Sequence, residues 1–197
     1  ADDGQLVAGF RESAANSEEM LSAIDRLSAS LRSEIGESLI DIRSNPPLDQ
    51  VTTPSIEALK HYTNANRFQT EDRMGDAIRE IEEAIALDSL FGMAYRKAAV
   101  LYSNAGFKYA EQDTFRQKAF DLRSRMTERE RLTTLGTVYS YGALSVDIDD
   151  DEAERAYIEL LQKWPDDDTA LNNLGIQKNK KGEYAEAELL LARAMGN

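Results

Sequence analysis

The chain contains no cysteine, which excludes disulfide bonds, thiolate nucleophiles and thiolate metal ligands. Proline is scarce, with 4 residues in 197, and no stretch approaches the roughly 20 apolar residues that a membrane-spanning helix needs. We therefore predict a folded protein without direct membrane insertion. A cysteine-free chain is compatible with either redox environment, so its compartment is left open between the cytoplasm and the extracytoplasmic part of a membrane-anchored protein.

Positive charge is also in short supply. The chain has 23 lysines and arginines against 36 aspartates and glutamates, a formal net charge of -13 at pH 7. A surface with this excess repels the phosphates of nucleic acids and of anionic membranes. Nucleic-acid binding is therefore not predicted.

Patterns that could support catalysis or metal binding are few. His61 is the only histidine, and no nucleophile or acid stands with it in the pattern of a catalytic site. Five acids in residues 147–152 could bind a cation such as calcium, but they lack the glycine and distal glutamate of an EF-hand loop. We interpret them as a loop whose last acids cap the next helix. No enzyme, cofactor or metal site is predicted, and the enzymatic alternative would need a carboxylate site at residues 149–152.

The densest basic run is equally weak as a site. Lys178, Lys180 and Lys181 could suggest phosphate binding, but the glycines that a phosphate-binding loop places before its lysine are missing. We interpret the run as a helix end, where cations meet the negative pole of the helix dipole.

The amino-terminal part shows three segments. Residues 4–12 have strand-like character, and from Asn16 or Ser17 apolar residues recur every three or four positions, which predicts a long amphipathic helix. The stripe comprises Leu21, Ile24, Leu27, Leu31, Ile35, Leu39 and Ile42. Adjacent prolines at 46 and 47 predict a linker over residues 44–54. Thr53 followed by Pro54 is interpreted as the start of the next helix, with the proline at its first position. The predicted division is therefore an amino-terminal segment with the long helix at 1–43, a linker at 44–54 and a repeat domain at 55–197. Because the chain begins with Ala1 rather than Met, it is open to interpretation as a fragment of a longer protein.

The carboxy-terminal part contains helical pairs at a fixed period. The clearest is Leu171-Asn-Asn-Leu174-Gly175, followed by the turn Gly182-Glu183-Tyr184 and the face formed by Ala187, Leu191 and Ala194. We expect its leucines to pack inward and Gly175 to let the partner helix of the hairpin approach closely. This run resembles a tetratricopeptide repeat, a helical hairpin of about 34 residues. Earlier segments fit less closely, although Ala84 and Ala119 lie one period apart. Thr127 and Glu130, three residues apart, match a capping box at a helix start. About four repeats are predicted between Ser55 and Met195, the third with a long internal connection over residues 140–151.

The resemblance implies an all-α fold in which tetratricopeptide-type hairpins stack into a right-handed superhelix, preceded here by one long amphipathic helix. In this family the first helix of each pair builds a concave, peptide-binding wall. The corresponding positions here are Tyr62, Asn66, Arg96, Val100, Thr133, Thr137, Asn172, Asn173 and Ile176. Arg96 and Asn173 could bind a peptide carboxylate, but the set lacks the several lysines with which chaperone-tail-binding members hold a terminal carboxylate.

A narrower resemblance involves the amino-terminal segments. The phrases Arg32-Ser-Glu-Ile-Gly-Glu-Ser-Leu39, Val51-Thr-Thr-Pro-Ser-Ile-Glu-Ala-Leu-Lys60 and Met126-Thr-Glu-Arg-Glu-Arg131 are similar to the carboxy-terminal sensor regions of bacterial serine/threonine kinases and related regulators. It implies that residues 4–12 and the first helix are the tail of a TolB-like domain. The predicted function is a non-enzymatic module that binds a protein or peptide, within a larger signalling protein. The alternative is a structural spacer or a homodimerisation module.

Overall fold

A computed structural model describes residues 9–16, 19–34, 53–106 and 109–196. Within these ranges the chain forms nine α-helices and one short 3-10 helix. They are α1 Met20–Glu34, α2 Ile56–Thr70, α3 Met74–Leu87, α4 Gly92–Asn104, α5 Tyr109–Asp121, the 3-10 helix Arg123–Arg125, α6 Glu128–Tyr141, α7 Asp150–Lys163, α8 Asp168–Lys180 and α9 Tyr184–Gly196. None of these helices is both long enough and apolar enough to cross a bilayer.

The helices after residue 55 pair in chain order. In the described part of the chain, α2 packs on α3, α4 on α5, α6 on α7 and α8 on α9, so four hairpins follow one another. Each hairpin packs on the next through its adjoining helices. This confirms the all-α prediction and gives the chain a helical-repeat fold of the tetratricopeptide type. The domain boundaries remain a prediction.

Side-chain caps fix where several helices begin. Thr127 and Glu130 form the predicted capping box of α6, each side chain accepting the backbone N–H of the other. The prediction for α2 was two residues early, because Ser55 and not Thr53 is the cap: its Oγ accepts the N–H of Ala58 at 3.1 Å, and α2 begins after it. Thr53 is instead buried and donates to Asp88 at 2.6 Å.

Two apolar clusters fill the hairpin stack. One joins α2, α3 and α4 around Ile81, Phe91 and Leu101, and the other joins α6 to α9 around Tyr157 and Leu171. Because each hairpin buries its inner faces against its neighbours, the first helices of successive pairs are held side by side.

Close packing within two hairpins depends on glycine. A Cβ added at Gly175 would lie 2.8 Å from Cγ of Leu191, and one added at Gly136 would lie 2.4 Å from the ring of Tyr157. The predicted role of Gly175, to let the partner helix of its hairpin approach closely, is thereby confirmed. Gly136 occupies the corresponding position of the preceding hairpin.

The amino-terminal predictions are tested only in part. Residues 9–12 are not in a strand, and residues 1–8 and 35–52, which include the proline linker and the end of the predicted long helix, lie outside the described residues. The described helix α1 begins at Met20, three residues after Ser17, although Asn16 does accept the N–H of Glu19. On its predicted apolar stripe, Ile24 and Leu27 are 46% and 37% exposed, because no other described helix packs extensively against α1.

Candidate functional site

An open groove crosses the face formed by the first helices of the hairpins. It encloses about 490 Å³ and is lined mainly by α4, α6 and α8, with Gln69 from α2 and Arg116 from α5. Of the nine residues predicted to face a ligand, six line this groove: Arg96, Val100, Thr137, Asn172, Asn173 and Ile176. We call this feature the central groove.

The other three predicted positions lie outside the groove lining. Tyr62 is partly buried and packs on Phe91, with ring centroids 5.1 Å apart. Thr133 is buried and donates its hydroxyl to the carbonyl of Arg129 at 2.8 Å. Asn66 lies on α2, where its carbonyl accepts the hydroxyl of Thr70 at 3.1 Å. Tyr62 and Thr133 therefore contribute to packing within and between helices.

Two neighbouring cations on α4 dominate the electrostatics of the groove. Arg96 and Lys97 both line it, and neither forms an ion pair with any described residue. Lys97 donates a hydrogen bond to the neutral side chain of Gln69. Burial, and then repulsion by Arg96, lower the pKa of Lys97 to about 8. The Nε of Arg96 is buried, and no described residue accepts its hydrogen bond.

The floor of the groove is a network around a buried tyrosine. Tyr157, on α7, is fully buried, and Nδ2 of Asn173 donates to its hydroxyl oxygen at 3.1 Å. Burial raises the pKa of Tyr157, and hydrogen bonds with Thr137, Ser140 and Asn173 act in the opposite direction. This network fixes the amide of Asn173 at the groove surface and links α6, α7 and α8.

The other charged side chains of the groove, Arg116 and Asp168, have interactions within the fold. Arg116 is buried, donates to the carbonyl of Gly142 at 2.6 Å and pairs with Asp113 on α5. Asp168 lies in the first turn of α8, where a carboxylate interacts favourably with the helix dipole. The groove therefore carries more positive than negative charge, although the whole chain carries the opposite excess.

Several residues of the groove were not predicted from the sequence, and Lys97, Gln69 and Arg116 matter most among them. Lys97 follows a predicted position directly, so the adjacent pair of basic residues was its signal in the sequence. Gln69 lies near the end of α2, and Arg116 lies on the second helix of its pair, which the family pattern does not assign to the wall. Their positions depend on how the hairpins pack.

The acidic and basic runs have structural roles in the described chain. Asp149 caps α7 by accepting the N–H groups of Asp151 and Glu152 at 3.1 and 3.0 Å, as predicted. Lys178 is buried and pairs with Glu154, Glu183 and Glu186, so it joins α7, α8 and the start of α9. Among the described residues, no three His, Cys, Asp or Glu side chains are grouped to hold a metal ion.

The single histidine is also engaged within the fold. Nδ1 of His61 lies 2.9 Å from Oε2 of Glu80, and Asn64 donates to the same oxygen at 3.1 Å. These hydrogen bonds join α2 to α3, away from the central groove. His61 is therefore half-buried on its helix and bonded within the fold.

Comparison with known proteins does not assign this chain to a family. No family model matches the chain, and no curated protein matches it in sequence. Among solved structures, the crystal structure of MamA is similar over 93% of this chain and 95% of its own, with 16% identity and a TM-score of 0.41. At that TM-score we base no conclusion on the similarity, and the fold assignment depends on the hairpins themselves.

Proposed function

We propose that this chain is a non-enzymatic protein-interaction module that binds a peptide segment of a partner protein in the central groove. The observation that supports this is the groove itself, which is built by successive first helices and lined with hydrogen-bonding side chains. Because the hairpin stack holds the groove preformed, binding a segment there requires little ordering of the module.

Amide side chains give the groove the means to bind a peptide backbone. Asn172 and Asn173 lie on α8, and Gln69 and Asn104 lie on α2 and α4, so donors and acceptors are present on both sides. Val100 and Ile176 add apolar surface between them. Such a surface suits an extended peptide segment. The amide side chains of the groove would bind its backbone, and its side chains would make a few specific contacts.

A matched pair of substitutions tests this proposal. Ile176 and Ile158 are exposed to a similar degree, 36% and 39%, but Ile176 lines the groove and Ile158 lies on α7 outside it. Ile176→Trp would fill the groove without altering its charges, whereas Ile158→Trp would add the same bulk elsewhere. We expect a purified partner, identified with the parent chain, to lose binding to the first variant and keep binding to the second, measured by calorimetry. A partner bound equally by both variants would refute the groove as its binding site.

A regulatory role within a larger signalling protein is the narrower form of this proposal. Its support is the resemblance of the phrases around residues 32–39, 51–60 and 126–131 to the sensor regions of bacterial kinases. In that setting the groove would couple a bound partner to an upstream domain. Full-length protein with Ile176→Trp should then lose the response to that partner while retaining its basal activity.

Homodimerisation is the second candidate, and one observation favours it. On α1, Ile24 and Leu27 of the apolar stripe are 46% and 37% exposed. Pairing of two such stripes would remove them from water. Light scattering over a range of concentrations checks this: a dimer that Ile24→Asp converts to monomer supports it, and a monomer at every concentration excludes it.

A further inference from the structure

Arg96 and Lys97, two neighbouring cations of the groove, differ from several other cations of the molecule. Lys178 pairs with three carboxylates, Lys181 pairs with Asp151 and Glu154, and Arg129 pairs with Asp167. In a chain with 13 more acidic than basic charges, carboxylate partners are abundant. Arg96 and Lys97 nonetheless have no ion pair within the described part of the chain.

Their described neighbours leave the charge of both cations without a counter-ion. Gln69 accepts one hydrogen bond from Lys97 but neutralises no charge. The guanidinium of Arg96 has a buried Nε–H that no described residue accepts. A buried cationic donor without a partner is costly, and a nearby anion offsets part of that cost by its charge. Arginine with an adjacent lysine is well suited to a carboxylate, since the guanidinium can bind both oxygens and the ammonium adds a second charge.

We propose that Arg96 and Lys97 form a recognition site for the carboxylate of an aspartate or glutamate side chain within the peptide segment that the central groove binds. This inference rests on the proposed function and adds a ligand class to it. We name this pair the cationic site. Charge complementarity is the basis of the assignment, because the site is positive on a molecule that is otherwise strongly acidic.

The position of the site favours a side chain over a chain terminus. Gln69 and Asn104 lie at the α2 and α4 side of the groove, and Asn172 and Asn173 lie across it on α8. Because amides line the groove both on the helix that carries the cationic site and on α8, they can bind backbone that precedes and backbone that follows the acidic residue. A terminal carboxylate has no backbone after it, so a peptide bound through its terminus would use only some of these amides.

The depressed pKa of Lys97 makes the site sensitive to pH. Its pKa of about 8 means that the ammonium is mostly charged at pH 7 and mostly neutral at pH 9. The other charged or titratable groups that line the groove are Arg96, Arg116, Tyr141 and Asp168. Affinity for a carboxylate should therefore fall as pH rises through about 8, and a bound carboxylate should raise the pKa of Lys97.

The probe for this inference is a pair of seven-residue peptides, acetylated and amidated at their ends, with three central glutamates or three central glutamines. Binding is followed by NMR at the Nε–H of Arg96 and at the backbone amides of α4. We expect the glutamate peptide to bind about tenfold more tightly at low salt, and the difference to shrink with added salt. Equal binding of the two peptides would overturn the inference.

Substitutions test whether peptide binding depends on the cationic site itself or only on the total charge of the protein. Lys97→Met should weaken binding of the glutamate peptide about tenfold without lowering the melting temperature, because it removes a desolvated charge. The control is Lys118→Met, which removes an exposed cation on α5 outside the groove and should leave binding unchanged. If Lys97→Met lost binding only together with its fold, Arg96→Gln would repeat the test. An equal loss in the Lys118 variant would refute a specific site.

Two further experiments are needed. One distinguishes a side-chain carboxylate from a terminal carboxylate or phosphate, and the other distinguishes failure of the cationic site from failure of the groove proposal. A glutamine peptide with a free carboxyl terminus, or inorganic phosphate, that binds as tightly as the glutamate peptide would overturn the assignment to an acidic side chain. If the glutamate and glutamine peptides bind equally and Ile176→Trp abolishes both, the groove proposal stands and the cationic-site inference fails. If Ile176→Trp leaves partner binding intact, the proposed function fails first.

Discussion

Substituting Gly136 by alanine tests the packing that supports the groove. The added Cβ would lie 2.4, 2.6 and 2.8 Å from three ring atoms of Tyr157, which is fully buried and cannot turn away. Forcing extra volume into a packed core costs about 1–3 kcal/mol, and a rigid buried ring places this case at the upper end. The better helix propensity of alanine offsets up to about 1 kcal/mol. We expect a net loss of about 2 kcal/mol, which lowers the melting temperature of a domain of this size by about 4–8 °C.

The assay is thermal unfolding followed by circular dichroism, and Gly75→Ala is the control. Gly75 lies in α3 with no atom within 4 Å of an added Cβ, so the same substitution should leave stability unchanged or raise it by up to about 1 kcal/mol. Displacement of Tyr157 should also move Asn173, which donates to its hydroxyl, and so weaken partner binding in the groove. A Gly136 variant that melts at or above the parent temperature would refute the reasoning.

Two further substitutions test local contacts. Ser55→Ala removes the side-chain cap of α2 and should lower the free energy of unfolding by about 1 kcal/mol, measured by urea unfolding. An unchanged urea midpoint would show that water replaces the cap at no cost. Hydrogen bonds from Lys178 and then Lys181 lower the pKa of Glu154, so its contribution to stability is complete above the ordinary glutamate range and is lost as pH falls through the lowered value. Glu154→Gln should therefore flatten the loss of stability between about pH 5 and pH 3, and an acid limb as steep as the parent's would contradict this assignment.

The structure and the sequence agree most closely where the signal is local. The capping box of α6 depends on two side chains three residues apart, and both were predicted from that spacing alone. The close approach at Gly175 followed from its place in the repeat pattern, and Ala84 and Ala119, one period apart in sequence, are both fully buried. Each of these features is fixed by residues within one turn or one hairpin.

Predictions were weaker where the outcome depended on distant residues. The helix α2 begins at a different cap from the predicted one, because Thr53 bonds to Asp88, 35 residues away. Tyr62 and Thr133 occupy positions that face a ligand in the family pattern, but here Tyr62 packs on Phe91 and Thr133 bonds to its own helix. Apolar periodicity identifies which face of a helix is buried. It does not identify which neighbouring helix packs on the other faces.

By itself, the sequence determined that this protein is a series of helical hairpins, since apolar periodicity, caps and small residues at the hairpin contacts act over short distances. It also indicated six residues of the central groove. Only the tertiary structure decided that Lys97, Gln69 and Arg116 join them, and that Arg96 and Lys97 lie there without an acidic partner among the described residues. The reason is physical: charge pairing and burial depend on the relative placement of helices that are separate in sequence, and stacking fixes that placement.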